Sequence, residues 1–548
     1  MKICIVGGGS AGWMSASTFS RLLPNDEVTL VESLDVDTSG VGESTLERIR
    51  SWLDIIGAWE DDFVKEVDGT FKHSIKFTDF LRKDGGSFHY PFGEHTQFNP
   101  ESWWAYYHMY NDACPKYDYR YDLDHALNEK KTIPFGEYAE TVNPLAMCAE
   151  MGRFDRSSAK AYHIDSAKFV EYLKKTFCDR VTHISSNVVG CEQSNDGISS
   201  VILDNGENIE ADLFVDCTGF KSLLLGEFLQ EPFTSYDHLI PNDSAWATHV
   251  PYNDKNKQMV AYTECTAIDN GWVWQIPLWT NIGTGYVYSS KYISDDEAKQ
   301  QFIDHLEDKG FDTSGCEFKH IPMRIGRYKR SFVKNVVAIG MSAGFIEPLE
   351  SNGLLTVHDN LIDLYKTLRR GQPSELIKEY YNKATSLRFD EFADFVAVHY
   401  AFTQRQDTPY WRDIFNKDYD ITGEGNYERF GLTAFSLDLY KFNQFSHLDK
   451  GFHYIASGMG VCPYINPRVS DGRVNDMLGK KKEWRQLTKH NLPTMYKYLK
   501  DNIYEVPHIN DEPEMREILE EKDKKEKLRT KNTPLREDLH LIGKTGKE

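Results

Sequence analysis

The short apolar run Lys2-Ile3-Cys4-Ile5-Val6 stops at Gly7-Gly8-Gly9-Ser10-Ala11-Gly12, and a segment with helical character follows from Trp13 to Leu23. A β-branched run of this length reads as a buried parallel strand. Glycines spaced Gly7-x-Gly9-x-x-Gly12 then permit a tight turn, close approach of a pyrophosphate, and packing of helix on strand. The helix start, with Ala11 and Trp13 beside the glycines, offers free N–H groups and a partial positive charge to phosphates. Val28-Thr29-Leu30-Val31 reads as a second strand ending at Glu32, 20 residues beyond Gly12, where a carboxylate can hold a ribose hydroxyl pair. The pattern predicts one βαβ unit folded around a dinucleotide. Glu32 would oppose a 2′-phosphate as one anion opposes another, so the expected ligand is FAD or NAD and not NADP.

The chain has 548 residues, 40% of them apolar, with 38 glycines besides, which suits a large folded core and excludes a mainly disordered protein. No apolar run is long enough to span a membrane, and the first apolar stretch is too short for a secretory signal. A net charge of −21 repels phosphate backbones, so nucleic acid is not an expected partner. Nine dispersed cysteines without a C-x-x-C read as reduced thiols in a cytoplasmic protein, with no zinc site and no disulfide framework. Helical character is expected over 45–65 and 355–400, and strands at Val201–Leu203, Asp212–Asp216 and Val336–Ile339. Strands of the first unit are thus dispersed, with another layer inserted between them. The last 35 or so residues alternate charges and read as a solvated helix running into a disordered tail.

Three further segments carry chemistry. Gly42-Glu43-Ser44, preceded by Gly40-Val41, could bring backbone amides to a flavin or phosphate edge; read alone, an ordinary loop accounts for it better. Ile339-Gly340-Met341-Ser342-Ala343-Gly344 runs from a strand end into small residues, and Glu350-Ser351-Asn352-Gly353 sets a carboxylate and a hydroxyl beside flexible backbone, with helix capping as the plainer reading. Trp272 and Trp274, in Gly271-Trp272-Val273-Trp274-Gln275-Ile276-Pro277, fall on one face of an extended segment, as a core strand also would.

Together the glycine fingerprint with Trp13-Met14, the Trp-x-Trp-x-Ile-Pro segment, Glu347-Pro348-Leu349-Glu350-Ser351, Phe214-Val215-Asp216-Cys217-Thr218-Gly219-Phe220 and Gly283-Thr284-Gly285-Tyr286 resemble the flavin-dependent halogenases of the tryptophan-halogenase type, from residue 1 to about 465. The resemblance implies an α/β fold with a Rossmann-like, flavin monooxygenase-type FAD module. Its expected parts are 1–80, 160–225 and 320–365, with an inserted β-rich substrate layer from 81–159 and 226–319. A mainly helical substrate-covering region over 366–510 and a charged tail over 511–548 complete it. Reduced FAD, O2 and a halide (chloride, bromide or iodide) would yield hypohalous acid, which travels to a second compartment holding a small aromatic substrate. Phe71-Lys72-His73-Ser74-Ile75-Lys76-Phe77 matches the family's lysine context and nominates Lys72, with Lys76 the nearest rival; read alone, Lys72 is a surface lysine.

By the same resemblance Glu350 is the essential carboxylate, Ser351 a relay to the flavin side, and the backbone amides of Asn352 and Gly353 the halide site. Gly42, Glu43, Ser44, Val188, Gly340, Met341 and Leu354 join the FAD contacts, and Trp272 with Trp274 walls the flavin off from the substrate. Tyr90 and Phe92, with Phe442 and His447, line the substrate pocket. Phe442 falls where tryptophan-specific members place a glutamate for the substrate ammonium, so an indole- or phenol-like arene, not free tryptophan, is the expected acceptor. A separate, transient flavin reductase is implied, and a homo-oligomer is left open. Two rivals stand beside this reading: a flavin monooxygenase that hydroxylates an arene, and a non-catalytic FAD-binding protein.

Overall fold

Lys2–Val6 lies inside a six-stranded sheet whose order is Phe332–Val333, Val336–Ala338, Leu213–Asp216, Lys2–Val6, Glu27–Glu32 and Val181–Ser185. All neighbours run parallel except the edge pair Phe332–Val333 with Val336–Ala338. This computed structural model describes residues 1–33, 42–92, 148–149, 151–156, 159, 161–417, 419, 455, 458–459, 488 and 491–505. The chain divides into Met1–Tyr498 and Leu499–Glu548; of the latter the described part is a helical turn, Lys500–Tyr504, with a Lys500–Glu505 ion pair at 3.4 Å. The sheets and the helices that pack on them belong to Met1–Tyr498.

Ile3, Cys4, Ile5 and Val6 are buried, as a strand covered on both faces requires. The helix Ser10–Leu22 packs between Ser166–Phe177 and Gly353–Leu368, burying an unbroken run from Gly12 to Ser20. Strand Glu27–Glu32 continues on one side of Lys2–Val6, while the chain later returns to the other side as Leu213–Asp216. The strand order reverses between these two, and a crevice opens there at the carboxyl ends, where ligands of such sheets bind.

A second, seven-stranded sheet runs Lys319–Pro322, Ser244–Val250, Ile282–Tyr288, Gly271–Pro277, Tyr262–Ile268, Ser74–Thr78 and Ser87–Pro91. It is antiparallel apart from the pairing of Tyr262–Ile268 with Ser74–Thr78. Ser74–Thr78 and Lys319–Pro322 lie at the edges of the expected 1–80 and 320–365 blocks, yet they pair in this sheet and not the parallel one. Gly271–Pro277 is buried throughout, and its alternation sorts the side chains. Trp272, Trp274 and Ile276 enter the main core, while Val273 enters a smaller one with Tyr286, Phe302 and Leu306. The helix Glu375–Ala401 follows Gly353–Leu368 and packs along it. Among the described residues no helix is long and apolar enough to cross a membrane.

Candidate active site

The crevice is a cavity of about 1120 Å³ lined by the glycine turn, Glu32, Gly42–Ser44, Val188, Thr218–Lys221, Trp274, Gly340, Met341 and Ser351–Leu354. Its local geometry explains the glycines. Gly7 has φ +114°, and a Cβ there would fall 2.2 Å from the Cys217 carbonyl oxygen. A Cβ on Gly12 would meet the Gly7 carbonyl at 1.9 Å, so this residue serves helix-on-strand contact and stands back from the lining. A Cβ on Gly9 would meet nothing within 4 Å among the described residues, which leaves a cradle at the helix N-terminus. The Glu32 side chain folds against Gly8, with Oε2 2.8 Å from His183 Nε2. Trp13 does not line the cavity; it packs edge-on against His183 at 5.2 Å beneath Lys174. Asp216 shapes the opposite lip, accepting from the Leu224 and Leu225 amides at 2.8 and 2.9 Å and from Thr218.

A second helix start meets the same cavity. Gly353–Leu368 begins there with Asn352 as its cap, and both Asn352 and Gly353 line the space. The Asn352 Nδ2 is buried with no hydrogen-bond partner among the described residues, and a Cβ on Gly353 would meet nothing within 4 Å. An orphaned donor at a positive helix end suits a small anion.

Lys72 ends the strand Thr70–Lys72 and is fully buried. Its Nζ donates to Ser351 Oγ at 2.9 Å and to the Thr45 carbonyl at 3.1 Å, and stands 4.7 Å over the Phe92 ring. Burial lowers its pKa from 10.5 to about 7, against the opposing pull of Glu350 and Cys265. Ser351 lines the cavity, whereas Lys72, Glu350, Tyr90 and Phe92 do not, among the described residues. The serine therefore stands between the cavity and the lysine. It sits in the left-handed region at φ 56°, ψ 33°, a strain of about 1–3 kcal/mol that the packing on both sides sustains.

Glu350 is buried, and burial raises its pKa against the pull of His399 and Lys72. His399 Nε2 is 2.8 Å from Glu350 Oε1, and its Nδ1 is 3.2 Å from the Val396 carbonyl. Neither His399 Nε2 nor the two Glu350 oxygens complete a well-aligned hydrogen bond among the described residues. Glu347, three residues earlier, is pushed up to about 7 by burial, and accepts from the Tyr400 hydroxyl and from Asn242 Nδ2 at 2.8 Å. Through these bonds the turn Pro348–Glu350 is fastened to the helix Glu375–Ala401.

Tyr90 and Phe92 contact each other at 5.3 Å, and Tyr90 reaches Phe395 at 6.1 Å, on the Lys72 side. Trp272 and Trp274 lie 6.1 Å apart, with Trp274 facing the cavity. Opposite Trp274 stands Gly285, where a Cβ would fall 2.1 Å from the indole Cη2. Lys76 is held apart, 5.4 Å over the Tyr262 ring. Phe442 and His447 lie outside the described residues. The sequence reading missed His399 and Cys265 as neighbours of this site; a single histidine inside the apolar run Phe395–Tyr400 was the available signal for the first.

A crevice at the sheet's switch point, with two helix starts converging on it, marks an α/β fold of the dinucleotide-binding type. The chain belongs to the tryptophan halogenase family, whose model matches residues 2–469. It is an enzyme of the flavin-dependent halogenase class. It is 35% identical over 429 residues to tryptophan 6-halogenase SttH of Streptomyces toxytricini, covering 75% of this chain and 80% of that one. To tryptophan 7-halogenase RebH of Lentzea aerocolonigenes it is 30% identical over 535 residues, covering 91% and 98%. Among solved structures, apo VirX1 matches with a TM-score of 0.78 and 33% identity over 92% of this chain and 99% of that one.

Proposed function

We propose that this enzyme forms hypohalous acid in the large cavity and delivers it past Ser351 to Lys72, beside which an electron-rich indole- or phenol-like arene other than free tryptophan is halogenated. The observation that carries the reading is the 2.9 Å contact between a cavity-lining serine and a lysine with no exposed surface. Gly7, Gly9 and Ala11 offer the pyrophosphate of FAD a helix start, and Glu32 offers its ribose an acceptor. Gly42–Ser44, Val188, Gly340, Met341 and Leu354 supply the rest of the FAD lining. Bound as FADH2, supplied by a separate reductase in the cytoplasm, the cofactor would supply two of the four electrons that O2 takes up, the halide giving the other two as it becomes hypohalous acid and the second oxygen leaving as water.

The halide is held by Asn352 Nδ2 and the Gly353 helix start, donors that bind an anion without a full countercharge. Lys72, with its pKa brought to about 7, is available near neutral pH both as a donor to hypohalous acid and as a nucleophilic amine. Glu350, 2.8 Å from His399, stabilises the cationic ring and takes up its displaced proton. Trp272 and Trp274 keep the arene from the flavin, so oxygen insertion does not compete. The aligned Phe442 gives a substrate ammonium no counter-ion, and an unpaired buried cation is costly.

Purified protein incubated with FAD, a reductase, NADH, O2, halide and a panel of phenols and indoles should yield products heavier by the halogen. Efficient turnover of tryptophan would refute the substrate assignment, and addition of oxygen in place of halogen would refute the reaction.

A further inference from the structure

The contact from Lys72 to Ser351 is the first link of a longer chain. Ser351 Oγ donates to Ser44 Oγ at 3.1 Å, and Ser44 Oγ meets Thr263 Oγ1 at 2.7 Å. Thr263 Oγ1 is 2.9 Å from His163 Nε2, and His163 Nδ1 is 3.0 Å from Thr70 Oγ1, which donates to the Pro277 carbonyl at 2.7 Å. Ser44, Thr263, His163 and Thr70 are all buried and come from four separate strands.

Each hydroxyl has one proton, so the ends decide the middle. A carbonyl only accepts, so the Thr70 proton is spent on Pro277 and Thr70 must accept from His163 Nδ1–H. Burial and the charge of Lys72 hold the His163 pKa well below its ordinary value, so the ring is neutral and Nε2 accepts from Thr263. Thr263 then accepts from Ser44, Ser44 from Ser351, and Ser351 from Lys72. The assignment made from the lysine end is the same. Every bond points away from the amine, and the terminus is a carbonyl that cannot carry a proton onward. The chain orients groups and does not conduct protons.

We propose that His163, acting through Thr263 and Ser44, is a positioning residue that keeps the Ser351 lone pair turned to Lys72 Nζ. The inference rests on the halogenase reading of Lys72. With Ser351 and the Thr45 carbonyl taking two valences of Nζ, the third is left for hypohalous acid. Among the described residues, Glu350 from the turn Pro348–Glu350, Cys265 from the strand Tyr262–Ile268 and His163 from the strand Ala161–Asp165 are the titratable groups that act on the amine, with His399 of the helix Glu375–Ala401 behind Glu350. Should the chain break at Thr263, Ser44 can turn back and donate to Ser351, whose proton then faces the ammonium. The ammonium loses an acceptor, and the amine form is favoured about fivefold, or about 0.7 of a pH unit, the worth of one such hydrogen bond.

The 15N chemical shift of Lys72 Nζ, followed by NMR across a pH series in the full-length flavin-free chain carrying 15Nζ-labelled lysine and assigned with Lys72→Met, measures that titration without turnover and without a reagent having to reach the buried amine. Halogenated product per flavin oxidised is read in parallel on the FAD-loaded enzyme. Thr263→Val should lower the titration midpoint by about 0.7 of a pH unit and cut the product yield about tenfold, and Thr263→Ser should restore both. His163→Leu breaks the chain one link further on, and is expected to move the midpoint in the same direction if Thr263→Val does not fold. An unmoved midpoint in the folded variants, or a Thr263→Ser no better than Thr263→Val, overturns the proposal. A shifted midpoint in a protein whose wild type makes no halogenated product sinks the halogenase reading and leaves the chain standing.

Discussion

Replacing Lys72 by methionine should stabilise the protein near neutral pH while removing arene halogenation. The amine titrates near pH 10.5 when solvated and at about 7 in the folded chain. Between those values the unfolded chain binds a proton that the folded one does not, so the contribution of this group to stability rises with pH across that window and is lowest below it. At about 1.4 kcal/mol per pH unit, the cost is about 4 kcal/mol at pH 7 and about 1 kcal/mol at pH 9.5. Methionine also abandons the Thr45 carbonyl and Ser351 Oγ, a loss of about 2 kcal/mol that does not depend on pH. An unfolding entropy of about 2 cal/mol/K per residue over the chain converts 1 kcal/mol to about 1 °C. Lys72→Met should therefore melt about 2 °C above wild type at pH 7 and about 1 °C below it at pH 9.5. Thermal scans of both flavin-free proteins at the two pH values decide it. A gap that stays constant or widens with pH would show that Lys72 is not a depressed, buried amine.

Other consequences are equally specific. Gly9→Val, whose Cβ enters open space, should leave the melting temperature of the flavin-free protein within about 1 °C yet weaken FAD binding at least about tenfold by fluorescence titration, whereas Gly7→Ala should fail in folding itself. Asn352→Leu should raise the KM for halide about tenfold, read from initial rates against bromide, with FAD affinity kept. Glu350→Gln should cut kcat about a hundredfold while flavin oxidation continues, since an amide neither stabilises the ring cation as an anion does nor accepts its proton. Trp274→Ala opens the partition, so products carrying oxygen should appear in the mass spectrum beside halogenated ones.

What the sequence made legible was local. Gly7, Gly9 and Gly12 act through neighbours a few residues away, and the two-residue period of Trp272 and Trp274 survives as one buried face in the fold. The resemblance brought Lys72, Glu350 and Ser351 forward, and the fold sets Lys72 against Ser351 across 279 residues of chain. The Trp13 side chain packs on His183, because its helix turns that face toward Val181–Ser185. The chain through Ser44, Thr263 and His163 left no trace in the sequence, since its links join residues 307, 219 and 100 positions apart. Nor could periodicity find His399, whose place in an apolar helix face is what a core residue would occupy; only the carboxylate opposite gives it a task.

The most direct test of the proposed passage of hypohalous acid from the cavity past Ser351 to Lys72 is the behaviour of Lys72→Ala with FAD, reductase, NADH, O2 and bromide. Flavin oxidation and scavengeable hypobromous acid should persist near wild-type rates while the brominated arene disappears. Brominated product formed at the wild-type yield per flavin oxidised would contradict the account.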